Sequence, residues 1–392
     1  MKTKTWVEVS KRALTENVRA FRVHTTARAK GAAPGMMAVI KSNAYGHGLT
    51  EVAETVKKQV DWFGVDSVDE GRRLRKAGIK KPVLVLGYTM KDRLADLVRH
   101  DLSFVVYDAS IVLALRKVKG IAKIHLKLET GTARQGLAGE ELRSLAKHIS
   151  KSKNIVVEGA YTHFANVEED DVFAKQQIAR FVGELAVLKE EGIEPKVCHA
   201  ACSAAALTLP DAYFDLFRLG ISMYGLWPSE HTRKDILRRT KEMNLQPALS
   251  WKTVVAQVKS VKKGTPVGYG LTEKVTKDST LAVLPIGYWD GYDRHLSGRG
   301  YVLIGGKRCK IVGRICMNMC MADVTAVKGV KPEDEVVLIG SQGKETVTAE
   351  ELAGVVGTIN YEIVTRINPT IPRTMISNFV TRINPKIPRI VT

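Results

Sequence analysis

Short apolar runs recur along the first two-thirds of the chain, separated by longer segments whose apolar residues fall three or four apart. The runs are "MMAVIK" (36–41), "WFGVDS" (62–67), "PVLVLGY" (82–88), "LSFVVYD" (102–108), "KIHLKLE" (123–129), "VVEGAYTH" (156–163), "VCHAACS" (197–203) and "FRLGIS" (217–222). Parallel strands covered on both faces read as such near-continuous apolar runs. Between them, "GLTEVAETVKKQV" places Leu49, Val52, Ala53, Val56 and Val60 near a helical period. "FAKQQIARFVGELAVLKEEGI" repeats the pattern at greater length and ends in Gly192, a predicted C-terminal cap. Eight strands alternating with helices predict a (β/α)8 barrel over residues 1–240. An open doubly wound sheet fits less well, because no G-x-G-x-x-G follows the first run.

Near residue 240 the pattern changes. "HTRKDILRRTKEMNLQP" reads as a helix and a linker. "TVVAQVKSV", "TLAVLPIGY", "YVLIGG", "KIVGRICM" and "EVVLIG" then follow with turns between them, which predicts a mainly antiparallel β domain over 241–392. The first residues of the chain are expected to pack on this domain. One helix interrupts it, "TAEELAGVVGT", where Thr348 and Glu351 have the spacing of a capping box. At the C-terminus "VTRINPTIPR" (364–373) recurs as "VTRINPKIPR" (380–389). A single late copy is too little for a solenoid. The first copy is expected to be structural and the second, within the duplicated segment 364–389, a loosely packed tail.

Composition narrows the class. No apolar run is long enough to span a bilayer, and the N-terminus lacks the apolar stretch of a secretory signal, so a cytoplasmic protein is expected. The five cysteines, an odd number in a long chain, argue against a disulfide framework. "CHAAC" and "CMNMC" read as small core cysteines rather than metal ligands, and no metal is expected. A net charge of +19 raises nucleic-acid binding. The basic residues alternate with acids, with no basic block, so neither a nucleic acid nor a membrane is expected as partner.

The chemistry concentrates at the ends of the runs. In a barrel the active site lies at the C-terminal ends of the strands, where Lys41, Glu129, His163 and Ser203 fall. A desolvated lysine amine loses part of its preference for a proton and can form a Schiff base with a carbonyl. A carbonyl cofactor with a phosphate would be pyridoxal 5′-phosphate. Its phosphate needs backbone donors, and Gly220, Ile221 and Ser203 follow the last two strands, where barrels commonly hold phosphate. Its ring nitrogen needs a partner that sets its electronics, for which Arg218 is the candidate. Arg134, after the fifth strand, is the candidate cation for a substrate carboxylate.

These blocks resemble the alanine racemase family. "AVIKSNAYGHG" is similar to its cofactor-lysine motif and "LKLETGTARQG" to its lysine–arginine segment. "EGAYTHFA", "FDLFRLGISMYGLWPS", "VGYG", "PIGYWDGYDR", "GRICMNMCMADVT" and "TINYEI" match further blocks in order. The resemblance runs to about residue 373. It implies a racemase that interconverts L- and D-alanine on pyridoxal phosphate with two bases, Lys41 on one face and Tyr269 on the other. Tyr269 would serve the partner subunit's site, which implies a homodimer with shared active sites. Tyr45, Ser203, Gly220, Ile221 and Tyr361 match phosphate contacts. Arg218 matches the ring-nitrogen arginine, and His163 the histidine linking it to the tyrosine base. Arg134 and the backbone of Met317 match substrate-carboxylate contacts, and Lys127 a lysine often carbamylated in the family.

Departures in three motifs bear on substrate. Cys202 stands where Asn is common, Asn318 where Asp is common, and Glu129 and Thr132 where Asp and Met are common. Losing a negative charge at Asn318 raises a serine or lysine racemase as the alternative, with alanine still expected to be best. A pyridoxal-phosphate decarboxylase is a further alternative, although it would need an acid where Arg218 stands. Tyr288 either lines an entry channel or packs. His47 has no role assigned from sequence.

Overall fold

The computed structural model describes residues 3–240 and 243–377. Contacts divide the chain into two units. The larger comprises Ala13–Ala44 and Leu49–Pro247, and the smaller the segment up to Arg12, Tyr45–Gly48 and the chain from Ala248 on.

The larger unit is built on eight parallel strands: Gly35–Val39, Trp62–Val65, Val83–Val85, Ser103–Val106, Ala122–Lys127, Ile155–Tyr161, Val197–His199 and Leu216–Leu219. Each predicted run overlaps one of them, starting no more than one residue after it. The last strand returns to pair with the first, Gly35 opposite Leu216. The seam between Val197–His199 and Leu216–Leu219 carries no regular ladder. Asp215 N donates to Cys198 O at 3.0 Å and Arg218 N to Ala201 O at 2.9 Å.

The interior packs Met37, Leu84, Val105, Tyr161 and Leu216 against one another. Each such buried side chain contributes about 1.5–3 kcal/mol relative to exposure. Outside, the helix Leu49–Val56 buries Leu49, Val52, Ala53 and Val56, the predicted face. Val60 is buried beyond its end. The helix Val172–Glu190 ends before Gly192, whose φ of +75° is the left-handed conformation that glycine adopts freely.

The smaller unit is mainly antiparallel. Thr5–Ser10 pairs with Leu249–Val254 and, in parallel, with Arg373–Ile376. Two expectations need correction here. "TVVAQVKSV" is two strands, Leu249–Val254 and Gln257–Val261, because the chain crosses at Val255 and Ala256 to a different neighbour. The capping box at Thr348 is half formed: Thr348 accepts from Glu351 N, but the Glu351 carboxylate pairs with Arg308. In the first copy of the repeat, the Arg373 side chain donates to the carbonyls of Gly46, Ile367, Asn368 and Ile371. The second copy lies outside the described residues.

Candidate active site

Lys41 follows the first barrel strand directly. The next four residues, Ser42 to Tyr45, all have φ between 51° and 55°, a complete left-handed turn. Each L-residue held this way costs roughly 1–2 kcal/mol, so the surroundings must hold the turn in place. Asn43 N donates to Glu70 Oε1 at 3.1 Å, and Asn43 Oδ1 accepts from Leu49 N at 3.1 Å. Beyond the turn, a Cβ at Gly46 would sit 2.1 Å from Val364 O, so only glycine fits. Buried His47 hydrogen-bonds through Nδ1 to Tyr45 O at 2.9 Å, which gives it a structural place at the end of the turn. The Lys41 side chain is 40% exposed, and its amine lies 3.9 Å from Asp66 Oδ1.

Arg218 occupies the seam. Its guanidinium donates to Ala200 O (2.7 Å), Thr162 O (2.8 Å) and His199 O (3.2 Å). It also meets His199 Nδ1 at 2.7 Å and His163 Nδ1 at 3.3 Å. The side chain is buried, and no carboxylate lies within ion-pair distance of it among the described residues. At the end of the strand Val197–His199, the carbonyls of His199 and Ala200 thus accept from a side chain. Burial, with the Arg218 charge adding to it, holds His163 and His199 well below the ordinary histidine range. Both rings are therefore neutral. Next along, Gly220 N donates to Ser203 Oγ at 2.9 Å, and Ile221 opens a short turn.

Lys127 is buried, its amine 5.0 Å above the Tyr161 ring. Its nearest natural counter-charge is engaged elsewhere, because the Glu129 carboxylate accepts from Gly131 N and Thr132 N. Glu191 is likewise engaged elsewhere, pairing with Arg143 at 3.2 Å. Burial first, then the charge of Arg218, pushes the Lys127 amine down to about 7. Arg134 is exposed just beyond the loop that Glu129 ties.

In the smaller unit the rings of Tyr45 and Tyr361 lie 6.2 Å apart. Tyr269 is 74% exposed in a turn flanked by Gly268 and Gly270, both at positive φ. The strand predicted through "KIVGRICM" stops at Val312, and Cys316 N bonds to Met319 O. Met317 and Asn318 therefore sit exposed in a turn. Of the cysteines expected in the core, Cys320 is buried but Cys198, Cys202 and Cys316 are half-buried. All five cysteines are free. The Cys202 thiol, pushed up to about 11 by burial and then by Glu168, lies 3.9 Å from Glu168 Oε1. Among the described residues no acidic, His or Cys cluster is arranged to hold a metal. No helix among them is long and apolar enough to cross a membrane.

A barrel with a lysine at its first strand end and a clamped arginine at the seam, in a chain that also carries a mainly antiparallel β unit, defines a barrel-enzyme class with its candidate site at the strand ends. Residues 9–228 match the alanine racemase N-terminal domain, and residues 248–375 the alanine racemase C-terminal domain. The chain is 44% identical to alanine racemase of Carboxydothermus hydrogenoformans, covering 94% of this chain and 98% of that protein. Alanine racemase of Methanococcus maripaludis is 38% identical, covering 94% and 97%. The crystal structure of alanine racemase from Bacillus anthracis with bound L-Ala-P superposes with a TM-score of 0.89 at 35% identity, covering 96% of each chain. The chain belongs to the alanine racemase family, a family of isomerases.

Proposed function

We propose that this chain interconverts L- and D-alanine with pyridoxal 5′-phosphate held on Lys41, in the cytoplasm, where five free thiols persist. The observation that carries the reading is Arg218. A buried guanidinium with neutral partners suits an unprotonated ring nitrogen, whereas a decarboxylase would want an acid there. When bound, the cofactor supplies an electron sink for removal of the α-proton. Arg218 limits that sink, which favours returning the proton over other outcomes. Ser203, Gly220 and Ile221 are suited to hold the phosphate from the barrel, and Tyr45 and Tyr361 keep the phosphate role that the resemblance implies. Lys41 moves the proton on one face. An absorbance spectrum before and after borohydride, followed by peptide mapping, tests this: the adduct is expected on Lys41, and an adduct elsewhere overturns the reading.

Tyr269 is the second base, contributed to the site of a partner copy. Tyr269, Leu271, Trp289, Met317 and Met319 are large and exposed on the smaller unit, as expected of a surface that a second copy covers. His163 accepts from Arg218 through Nδ1, so its proton sits on Nε2, available to the tyrosine oxygen. Lys41→Ala and Tyr269→Phe homodimers, each inactive, should regain activity when mixed and allowed to exchange, because one site of each heterodimer is then intact. No recovery despite exchange counts against shared sites.

Lys127 is suited to carbamylation, since an amine near 7 is about half unprotonated at neutral pH and can add carbon dioxide with release of a proton. The product is an anion, which turns repulsion by Arg218 and Arg134 into attraction and orients Arg134 for the substrate carboxylate. Without it, burial of Lys127 destabilises the fold by about 5 kcal/mol below pH 7, a penalty that fades as pH rises toward 10.5. Protein prepared free of carbon dioxide should therefore melt lower near pH 7, with the deficit shrinking at pH 9. Bicarbonate should restore both melting temperature and KM for alanine. Indifference to bicarbonate would sink the assignment.

One observation favours wider specificity: Asn318, exposed beside Met317, lacks the charge common in the family. We hold alanine to be the preferred substrate. A kcat/KM for serine, lysine or arginine above that for alanine would overturn this.

A further inference from the structure

A line of buried polar groups leads from Arg218 to a carboxylate that the reaction, as read above, does not use. Arg218 NH1 meets His199 Nδ1 at 2.7 Å. His199 Nε2 meets His125 Nδ1 at 3.0 Å. His125 Nε2 lies 3.5 Å from Glu158 Oε2, the oxygen that also accepts from Ser103 Oγ. Both imidazoles are fully buried.

The two ends dictate where the protons sit. A guanidinium only donates, so His199 Nδ1 accepts and the single proton of this neutral ring is on Nε2. That N–H faces His125 Nδ1, which must accept in turn. The His125 proton is then on Nε2, which faces Glu158 Oε2 across 3.5 Å without a formed hydrogen bond, and a carboxylate only accepts. Burial holds His125 below the ordinary histidine range as well, with Glu158 partly opposing it.

The fold is shaped around this line. Strands Ala122–Lys127 and Ile155–Tyr161 pair Ile124 with Val157 but His125 with Gly159, so Glu158 is the extra residue of a β-bulge. A bulge frees its residue from strict alternation and re-aims the side chain. Opposite His125, a Cβ on Gly159 would lie 2.4 Å from the imidazole, so glycine clears the space. Tyr161 stacks on His199 with centroids 4.8 Å apart and the rings 4° from parallel. Trp62 meets His125 edge-on.

We propose that Glu158 is a positioning residue for the racemisation: through His125 and His199 it fixes the tautomers that hold the Arg218 guanidinium in one orientation. The proposal rests on the reading of Arg218 as the ring-nitrogen partner. Without the carboxylate, only the Arg218 end still sets the protons, and a buried Nε2–H on His125 is left with no acceptor facing it, which favours moving that proton to Nδ1. A proton on Nδ1 faces the N–H of His199, and relieving that clash by switching His199 places its Nδ1–H against Arg218.

The test uses holoenzyme labelled with 15N-histidine, in which long-range 1H–15N correlations report each ring's tautomer. Wild type should carry the proton on Nε2 at both His125 and His199. Glu158→Leu should give mixed tautomers and lower kcat by about tenfold with KM nearly unchanged. Glu158→Gln keeps an acceptor for His125 and should retain both the wild-type tautomers and most of kcat. A purely structural role would lower the melting temperature of Glu158→Leu without moving the tautomers. Overturning results are an Nδ1 proton at either ring in wild type, unchanged tautomers in Glu158→Leu, or switched tautomers with full kcat. Wild type and Glu158→Gln keep the test decisive if Glu158→Leu does not fold. Failure of the cofactor reading shows separately, in the borohydride map of wild type.

Discussion

Lys41→Ala is expected to lower alanine racemisation in both directions by at least about a thousandfold, the scale of the general base and covalent anchor proposed for it. The protein itself should survive the change. Lys41 is partly exposed, its ion-pair partner Asp66 is 3.9 Å away, and it precedes rather than occupies the left-handed turn. Exposed substitutions of this kind shift stability by no more than about 0.5 kcal/mol. Loss of activity with an unchanged melting curve therefore separates chemistry from folding. A small exogenous amine should restore part of the rate, since it can accept the proton that Lys41 would have taken. Activity above a tenth of wild type in carefully purified Lys41→Ala would remove Lys41 from the centre of the mechanism.

What could be read beforehand depended on range along the chain. The eight barrel strands were legible because burial on both faces leaves an apolar run in each, and the run "MMAVIK" marks the strand Gly35–Val39 to within two residues. Lys41, His163 and Ser203 were legible as polar residues ending such runs. The left-handed turn was not, because Ser42, Asn43 and Ala44 carry only the weak hint that Asn tolerates positive φ. The turn is held by Glu70 and Leu49, which adjacency in sequence does not connect to it. His125 and His199 were visible inside "KIHLKLE" and "VCHAACS", yet isolated histidines in strands usually pack as satisfied core groups. Their meaning comes from Arg218 on another strand and from a bulge at Glu158. A bulge shifts register without changing composition, so nothing local in "VVEGAY" announces it.

Arg218→Glu should be the most disruptive substitution short of removing the lysine, because it acts on stability and chemistry together. The wild-type guanidinium sits among the carbonyls of Thr162, His199 and Ala200. A carboxylate there faces acceptors with no donor of its own, and an uncompensated buried charge costs about 3–5 kcal/mol. Part of that is avoided if the new carboxyl takes up a proton, so the melting temperature should fall by roughly 10 °C at pH 8 and by less at pH 6. The sign follows from a carboxyl pKa raised in the folded state, which makes the loss greatest where the unfolded chain is ionised. Racemisation should fall by at least about a hundredfold. Among the products that remain, transamination and decarboxylation should gain share, since an acid at the ring nitrogen would strengthen the electron sink that Arg218 is proposed to restrain. Arg218→Lys separates the two effects: it keeps the charge but loses the planar fork, so stability should drop while the partition among products stays as in wild type. An Arg218→Glu enzyme that is slower yet forms the same products in the same ratio would show that Arg218 holds the seam together without governing the fate of the α-proton.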